Sequence, residues 1–292
     1  MAKLLSIIIS SKNNQIYLLK LMNQIINLEN YYNFINLYVT NDGSTEDYSE
    51  VVKFVNKHPG IFYTSNKNSI GKVCSIINIA KKVNTPYICT MDDKDELLPS
   101  FDNSLSKLIN SEKLYVGYLV NKNMQLIGDP IPNNTDFFSF YYRKALIGDH
   151  IYFYPLRIYK QFNVPKELSN LIINDELVIN NLVFHEKLNL LSNEPLLIHD
   201  YSKGHLTNFI FQNKVKNWQV TRWCIKLIFG NKPSLKIKVA KLFELFLTRK
   251  KAKIKFSKFS NKLLYYFLYV TGSFIVIKQI YILLISRLMG SK

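Results

Sequence analysis

Carboxylates cluster at two places in the first hundred residues where they could bind a cation or a polar ligand. Asp42 follows a short apolar run at 35–40, and a denser acidic stretch at 92–95 follows another at 86–90. Mg²⁺ and Mn²⁺ take oxygen ligands and commonly bridge one or two carboxylates to a diphosphate. The alternative is that both stretches are solvated turns, since Asp-Gly favours a tight turn and acids favour helix N-termini.

A third acidic place, the pair Asp175 and Glu176, precedes a stretch with helical spacing at 177–184. A carboxylate there could act as a general base that removes a proton from an attacking hydroxyl. The alternative is a pair of acids that the dipole of the following helix stabilises. No Gly-x-Gly-x-x-Gly and no phosphate loop ending in Gly-Lys-Ser or Gly-Lys-Thr follows any predicted strand, which weighs against ordinary dinucleotide-binding and P-loop proteins.

Alternating strands and helices must position these acids. The predicted elements are, in chain order, strand 4–9, helix 13–28, strand 35–40, helix 45–56, strand 61–64, helix 69–83 and strand 86–90. The first helix has five residues near helical spacing: Ile16, Leu19, Met22, Gln24 and Ile26. This order predicts a mostly parallel sheet with helices on both faces, in which ligands bind at the carboxyl ends of the strands. Asp42 and the stretch 92–95 both fall at such ends.

The net charge is concentrated at one end of the chain. Of the formal +17, residues 203–292 carry 19 Lys and Arg against one acid, whereas residues 1–202 carry 19 basic and 20 acidic side chains. Basic segments bind nucleic acid or anionic membrane surfaces. Because this segment also holds long apolar stretches, an anionic membrane is the predicted partner and no nucleic acid is expected.

The apolar stretch 263–285 leaves the relation to a membrane open. It has the length of a spanning helix, which needs about 20 predominantly apolar residues. Lys278 within it is costly in hydrocarbon unless its ammonium reaches the interface. We therefore predict that residues 209–292 form a basic, amphipathic helical region that lies in the interface, spans once, or packs and oligomerises.

Cysteine and histidine spacing gives no sign of a metal site. The three cysteines cannot form a disulfide framework and have no metal-ligand spacing, which favours a reducing compartment. The five histidines also lack such spacing and are predicted to be structural or solvent-facing. Together with the basic tail, this predicts a cytoplasmic protein that is peripheral on the inner face of the cell membrane.

Six segments, taken in order, resemble glycosyltransferase family 2, whose members are inverting enzymes with the GT-A fold. They are Leu-Ser-Ile-Ile-Ile-Ser-Ser-Lys-Asn at 5–13, Val-Thr-Asn-Asp-Gly-Ser-Thr at 39–45, the Asn…Gly…Asn pattern at 66–78, Met-Asp-Asp-Lys-Asp-Glu-Leu-Leu-Pro at 91–99, Asn-Asp-Glu-Leu at 174–177 and His-Asp-Tyr-Ser-Lys-Gly-His-Leu-Thr at 199–207. The resemblance implies an α/β catalytic domain with a Rossmann-like mixed sheet over residues 1–208, ahead of the helical region 209–292.

The resemblance also implies a role for individual residues. It assigns nucleotide-sugar contacts to Ser10, Ser11, Asp42, Lys72, Asp92 and Lys94. Asp42 would contact the base or ribose, and the acidic stretch would bind Mn²⁺ or Mg²⁺ together with the diphosphate. The general base would be Asp175 or Glu176.

The acidic stretch departs from the family pattern at one position. Registered on the Leu-x-Pro sequence at 97–99, the family's Asp-x-Asp falls on Asp92 and Lys94, and a protonated Lys cannot ligate a cation. Either Asp93 and Asp95 replace the pair as metal ligands, or cation binding is altered and Lys94 itself meets phosphate.

A further string, Gln-x-x-Arg-Trp at 219–223, is similar to one that lines the acceptor channel of processive relatives. The similarity implies that Arg222 and Trp223 contact the acceptor, since Trp can stack on a sugar ring and Arg can pair with a diphosphate. The alternative is an amphipathic helix at a membrane surface.

These patterns predict a glycosyltransferase of hexosyl or N-acetylhexosaminyl type. It would move a sugar, with inversion, from a nucleotide-diphosphate sugar (UDP-sugar favoured) to a glycan or lipid-linked acceptor in surface polysaccharide or glycolipid synthesis. One alternative is a related nucleotidyltransferase, which the absence of Gly and Arg at 10–15 disfavours. The other is a non-catalytic membrane or nucleic-acid adaptor on a degenerate transferase fold, which Lys94 favours. The sequence leaves homo-oligomerisation open.

Overall fold

The structure is a computed structural model that describes residues 3–29, 31–108, 112–132, 134–140, 149–161, 183–199 and 217–230, together with 232–233, 235, 237–238, 241–242 and 244–245. The chain divides into two compact units. The first comprises Met1–Tyr141 and Leu146–His205, and the second comprises Tyr142–Ala145 and Leu206–Lys292. The predicted boundary between residues 208 and 209 lies outside the described residues and stays a prediction.

Strands and helices alternate through the first part of the first unit, as the sequence predicts. These elements are β1 (Leu5–Ser11), α1 (Gln15–Ile26), α2 (Tyr31–Phe34), β2 (Ile35–Asp42), α3 (Ser49–Lys57), β3 (Ile61–Asn66), α4 (Lys72–Ala80) and β4 (Tyr87–Met91). Three helices begin later than predicted, and α3 starts at Ser49 rather than at residue 45. Asn13 and Gly71 have positive φ angles of 56° and 90°, and because such residues lie outside helical geometry, α1 and α4 start after them.

The later elements complete the sheet and add one helix in the second unit. They are β5 (Glu96–Leu97), α5 (Pro99–Leu105), β6 (Leu114–Val120), β7 (Thr135–Asp136), β8 (His150–Pro155), α6 (Leu156–Gln161), β9 (Lys187–Ile198) and, in the second unit, α7 (Trp218–Gly230).

The sheet is mixed and has a reversal of strand order next to β1. Its order is β3-β2-β1-β4-β8-β6-β9-β5, with β7 paired to β9. Strands β1 to β4 are parallel, as predicted, whereas β8 runs antiparallel to both β4 and β6. The chain moves outward from β1 to β2 and β3, then returns to β4 on the other side of β1. At such a switch point the carboxyl ends of neighbouring strands diverge and form a crevice for ligands.

Apolar burial fixes the sheet, and the face of α1 that packs on it overlaps the predicted helical residues only in part. Every residue of β1 is buried, as expected for a central strand covered on both sides. On α1 the buried residues are Leu18, Leu21, Met22 and Ile25, whereas Ile16 is 79% exposed. The buried set follows the i, i+3, i+4, i+7 spacing of one helical stripe, and the predicted set departs from it.

Candidate active site

The ends of three neighbouring strands bring several of the predicted residues to one edge of the sheet. In the parallel register Ser11 at the end of β1 pairs with Asn41 of β2, and Asp42 pairs with Asn66 of β3. On the other side of β1, Ile9 pairs with Met91, so the acidic turn at 92–95 follows directly beside the end of β1. Pairing strands in register thus gathers segments that lie up to 80 residues apart in sequence.

Asp42 is buried and accepts five hydrogen bonds from its own chain. Its Oδ1 accepts from Asn66 Nδ2 at 2.9 Å, from the Ile70 amide at 3.0 Å and from Ser75 Oγ at 2.9 Å. Its Oδ2 accepts from Ser69 Oγ at 2.7 Å and from the Gly71 amide at 2.9 Å. The carboxylate therefore ties the end of β2 to the loop that begins α4. Its predicted contact with the base or ribose stays a prediction.

Glycine follows Asp42 because the same loop passes directly over it. Gly43 has φ +69°, and a Cβ added there would lie 2.4 Å from the Ser69 amide nitrogen and 2.6 Å from the carbonyl carbon of Asn68. Both obstacles are backbone atoms, so they cannot rotate away. The loop at 66–71 is thus held by hydrogen bonds to the Asp42 carboxylate. It can pass this close to the chain because Gly43 has no side chain.

The acidic turn is closed by its own hydrogen bonds and by a histidine from far along the chain. The Asp92 amide donates to Asp95 Oδ2 at 2.8 Å, and the Asp95 amide donates to the Asp92 carbonyl at 3.1 Å. His199 Nδ1 lies 2.6 Å from Asp95 Oδ1, and both side chains are buried. Burial raises the pKa of Asp95 and by itself lowers that of His199. Their hydrogen bond opposes both effects and for His199 prevails, raising its pKa to about 9.

Sequence reasoning included His199 in the family-like segment 199–207, but gave its side chain only a structural or solvent-facing role. The residue is structural, but it lies against the candidate site. The signal was its position directly after an apolar strand, because β9 pairs with β5 in a register that sets Ile198 opposite Glu96. That antiparallel pairing carries His199 to the acidic turn, and no local pattern reveals it.

Asp93 is directed inward, toward the end of β1. Ser11 Oγ donates to Asp93 Oδ2 at 2.7 Å, and the Tyr48 hydroxyl lies 2.9 Å from the same Ser11 oxygen. Because Ser11 uses its proton on the carboxylate, Tyr48 is the donor in the second bond. Burial raises the pKa of Asp93 to about 6 despite the Ser11 hydrogen bond. Ser10 precedes this network in β1 and is also buried.

Two lysines border the same turn. Lys72, the first residue of α4, donates to Asp92 in an ion pair that remains partly accessible, with side-chain exposures of 27% and 21%. Lys94 places its Nζ 5.2 Å from the centre of the Tyr17 ring. Lys72, Asp92 and Lys94 are the predicted nucleotide-sugar residues on the open side of the turn.

The carboxylates of the turn at 92–95 have partners within the protein. Among the described residues, no group of three or more His, Cys, Asp or Glu side chains is arranged to hold a metal ion. Both oxygens of Asp95 have partners within the protein, Asp93 is bound to Ser11, and the carboxylate nearest the surface, Asp92, is already paired with Lys72. Asp93 and Asp95 are thus both hydrogen-bonded within the protein, and their role as metal ligands stays a prediction.

The remaining predicted residues lie in the second unit or outside the described residues. Asp175 and Glu176, the predicted general bases, lie outside the described residues. Arg222 is exposed and Trp223 is partly buried on α7, in the second unit. Their predicted contact with an acceptor stays a prediction.

Two comparisons with solved structures place the fold. S. aureus TarS 1-349 in complex with UDP-GlcNAc superposes with a TM-score of 0.57 at 13% identity, covering 85% of this chain and 72% of that one. The mannosyltransferase PcManGT from Pyrobaculum calidifontis, in complex with GDP-Man and Mn²⁺, gives 0.55 at 11% identity, covering 93% of this chain and 84% of that one. At these identities the likeness shows the fold alone, which is GT-A, as predicted. No curated protein sequence matches the chain significantly.

The family profile described as Glycosyl transferase family 2 matches residues 6–164, more than half of the chain. The match runs from β1 through α6 and includes Ser11, Asp42, Lys72 and the turn at 92–95. Sequence profile and fold agree over the same strands, and the chain belongs to glycosyltransferase family 2.

Proposed function

We propose that this protein transfers a hexosyl or N-acetylhexosaminyl group from a nucleotide-diphosphate sugar, with UDP-sugars favoured, to an acceptor hydroxyl. The observation that carries the proposal is the gathering of Ser11, Lys72, Asp92 and Lys94 at the switch point of a family 2 sheet. A nucleotide-sugar fits this crevice, because such crevices bind ligands outside the carboxyl ends of parallel strands. TarS with UDP-GlcNAc and PcManGT with GDP-Man support the substrate class.

The proposed reaction is a single displacement with inversion at the anomeric carbon. The acceptor oxygen forms its bond to that carbon as the bond to the β-phosphate oxygen breaks. The acceptor proton passes to a general base, for which the sequence offers Asp175 or Glu176, while cationic groups at the donor end stabilise the departing nucleoside diphosphate. The general base and the cationic groups act on opposite sides of the sugar, so they must come from different segments of the chain.

The proposed acceptor is a glycan or a lipid-linked glycan in surface polysaccharide or glycolipid synthesis, met at the inner face of the cell membrane. The support is the net charge of residues 203–292, which contain 19 basic side chains and one acidic side chain. Anionic lipid attracts such residues at about 1 kcal/mol each near the surface. Within the described residues, no helix has the length and apolarity to cross a membrane. The stretch 263–285 lies outside them, and oligomerisation through the tail stays a proposal.

Donor turnover tests the proposal. We would incubate the purified full chain with UDP- and GDP-sugars and follow the anomeric proton by NMR, with Mn²⁺, with Mg²⁺ and with excess EDTA. We include all three conditions because the PcManGT complex contains Mn²⁺, whereas the described residues here offer no three-ligand group. We expect slow hydrolysis of one donor to a sugar of inverted configuration. If no donor is consumed in any condition, with or without glycan or glycolipid acceptors, the non-catalytic adaptor becomes the better account.

Vesicle partitioning tests the membrane proposal separately. We expect the full chain to bind vesicles that contain anionic lipid and to bind neutral vesicles much less. Salt should weaken the binding, because the Debye length falls from about 10 Å at 0.1 M to about 3 Å at 1 M. Equal binding to both kinds of vesicle would contradict electrostatic attachment, and salt-sensitive binding to nucleic acid without lipid preference would favour the nucleic-acid alternative.

A further inference from the structure

We infer that Lys72 and Lys94, and not a divalent cation, neutralise the diphosphate of the donor in this protein. The inference rests on the proposed function, since it concerns how the same site holds a nucleotide-sugar. It follows from a mismatch between the cation that the fold suggests and the side chains that border the turn at 92–95.

Two acids of the turn, Asp93 and Asp95, are hydrogen-bonded within the protein. Asp95 is held by His199 and by the Asp92 amide, and Asp93 is held by Ser11. These contacts are 2.6 to 2.8 Å long and lie in the interior, so a cation would compete with them for the lone pairs of either carboxylate. Losing them would take a charged acceptor away from a buried imidazole and a buried hydroxyl, which is costly. The carboxylates therefore serve to shape the turn.

Lys72 is the first cation available to a diphosphate. It lies in the first turn of α4, a helix of nine residues, where the helix dipole favours an anion. The Ile70 and Gly71 amides just before it already donate to Asp42, so they cannot serve as the phosphate cradle. The Lys72 ammonium is partly exposed and pairs with the equally accessible Asp92. It can therefore donate to a phosphate oxygen with a small side-chain movement.

Lys94 is the second cation. Its ammonium lies over the face of Tyr17, which is 51% exposed, and among the described residues no carboxylate lies within ion-pair distance of it. A cation over an exposed ring is held more weakly than one that donates to an ionised oxygen. Tyr17 thus orients Lys94 beside the turn while leaving the ammonium available. A phosphate oxygen would be its stronger partner.

Two ammonium groups can perform the electrostatic task of a cation in this reaction. When the bond between the anomeric carbon and the β-phosphate oxygen breaks, the electron pair stays on the nucleoside diphosphate. Positive groups placed beforehand at that oxygen lower the barrier, because the charge they meet develops in the transition state. The acceptor proton goes to the general base, so Lys72 and Lys94 need not gain or lose a proton.

Binding of nucleoside diphosphates to the full chain tests the inference without requiring turnover. We would titrate UDP and GDP, with uridine and guanosine as phosphate-free partners, by calorimetry in excess EDTA and again in Mn²⁺. We expect one diphosphate to bind in EDTA with an affinity within about threefold of that in Mn²⁺. Its binding should weaken as salt rises, since exposed ammonium groups carry it.

Variants then test whether the Lys94 ammonium contributes to diphosphate binding. Lys94→Ala should weaken the diphosphate about tenfold, the scale of one hydrogen bond to a charged group, and leave the nucleoside unchanged. Lys94→Arg should restore most of the affinity. Lys53→Ala, which removes an exposed lysine on α3 that pairs with Glu50, is the matched control and should change nothing. Thermal unfolding of each variant checks that it is folded.

The outcomes separate the inference from the proposed function. If EDTA removes diphosphate binding and Mn²⁺ restores it, the lysine inference is wrong while the transferase proposal stands. If Lys94→Ala binds as tightly as the unmodified chain, Lys94 has no part in it. If neither diphosphate nor any nucleotide-sugar binds in any condition, both proposals fall. The titration in EDTA uses the unaltered chain, so it tests whether diphosphate binding needs a divalent cation even if a variant fails to fold.

Discussion

Replacing Asp42 with Asn should destabilise the protein before any ligand is added. The substitution keeps the shape of the side chain and exchanges one acceptor oxygen for an NH₂ group. Oδ2 accepts two hydrogen bonds and Oδ1 accepts three, so at least two donors lose their acceptor in either orientation of the amide. A hydrogen bond to a charged group contributes about 1.5–3 kcal/mol. We therefore expect a loss of roughly 3 kcal/mol or more, or a Tm lower by roughly 6–12 °C.

Thermal and urea unfolding at neutral pH without nucleotide would measure this loss. Asp47→Asn is the matched control, because Asp47 is an exposed acid on the same segment whose hydrogen bonds go only to its neighbour Ser49. Its Tm should stay nearly unchanged. A stable Asp42→Asn protein that has lost nucleotide affinity would refute the structural account and favour direct contact of Asp42 with the base or ribose.

Lowering the pH should remove the stabilisation that the Asp42 carboxylate provides. Burial by itself raises the pKa of Asp42, but the hydrogen bonds from the Ile70 amide and from Ser69, Asn66 and Ser75 outweigh it and lower the pKa below its usual 3.8. A group whose folded pKa is depressed stabilises the protein above its unfolded pKa and loses that effect as pH falls through the folded value. The stability difference between the unmodified chain and Asp42→Asn should therefore be constant above about pH 5 and should shrink below pH 3.8.

Three further substitutions test other parts of the account. Gly43→Ala should cost about 1–2 kcal/mol from its positive φ alone, with more from the clash with the loop above it, whereas Gly230→Ala, with open space around it, should leave the Tm unchanged or slightly higher. Arg157→Lys should lower the Tm by a few degrees, because Lys cannot reproduce the two parallel hydrogen bonds of 2.8 and 3.0 Å to one carboxylate; an unchanged Tm would show that this surface pair contributes nothing. Asp175→Asn or Glu176→Gln should abolish transfer at nearly unchanged donor affinity, since the base acts in the transition state; full turnover in both would place the base elsewhere.

Local patterns predicted the positions of the first four strands and of the acidic turns. Runs such as 4–9 and 86–90 are too short for helices and too apolar for loops, so they specify buried strands whatever the rest of the chain does. The polar residues that follow each run then fall at strand ends, which is why Asp42 and the turn at 92–95 could be identified as a candidate site. Helix starts were less certain, because one residue with positive φ, such as Asn13, moves the boundary.

Contacts between distant segments were beyond local patterns. Ser11 and Asp93 are 82 residues apart, and Asp95 and His199 are 104 apart. Each pair depends on strand order and register, which arise from packing of the whole sheet. The sequence therefore raised the choice between a metal site and a phosphate-binding lysine at Lys94. The hydrogen bonds of Asp93 and Asp95 that bear on this choice are visible only in the structure.

Thermal unfolding of the full chain against a panel of nucleotide-sugars tests the central claim most directly. A donor that binds the native state at about 100 times its Kd should stabilise it by about 2.7 kcal/mol, or roughly 5–10 °C in Tm for a domain of this size. We predict such a shift for one nucleotide-sugar and for its nucleoside diphosphate, and none for the free sugar. If no nucleotide-sugar in the panel raises the Tm at millimolar concentration, the crevice between β1 and β4 does not bind a donor, and the proposed function is contradicted.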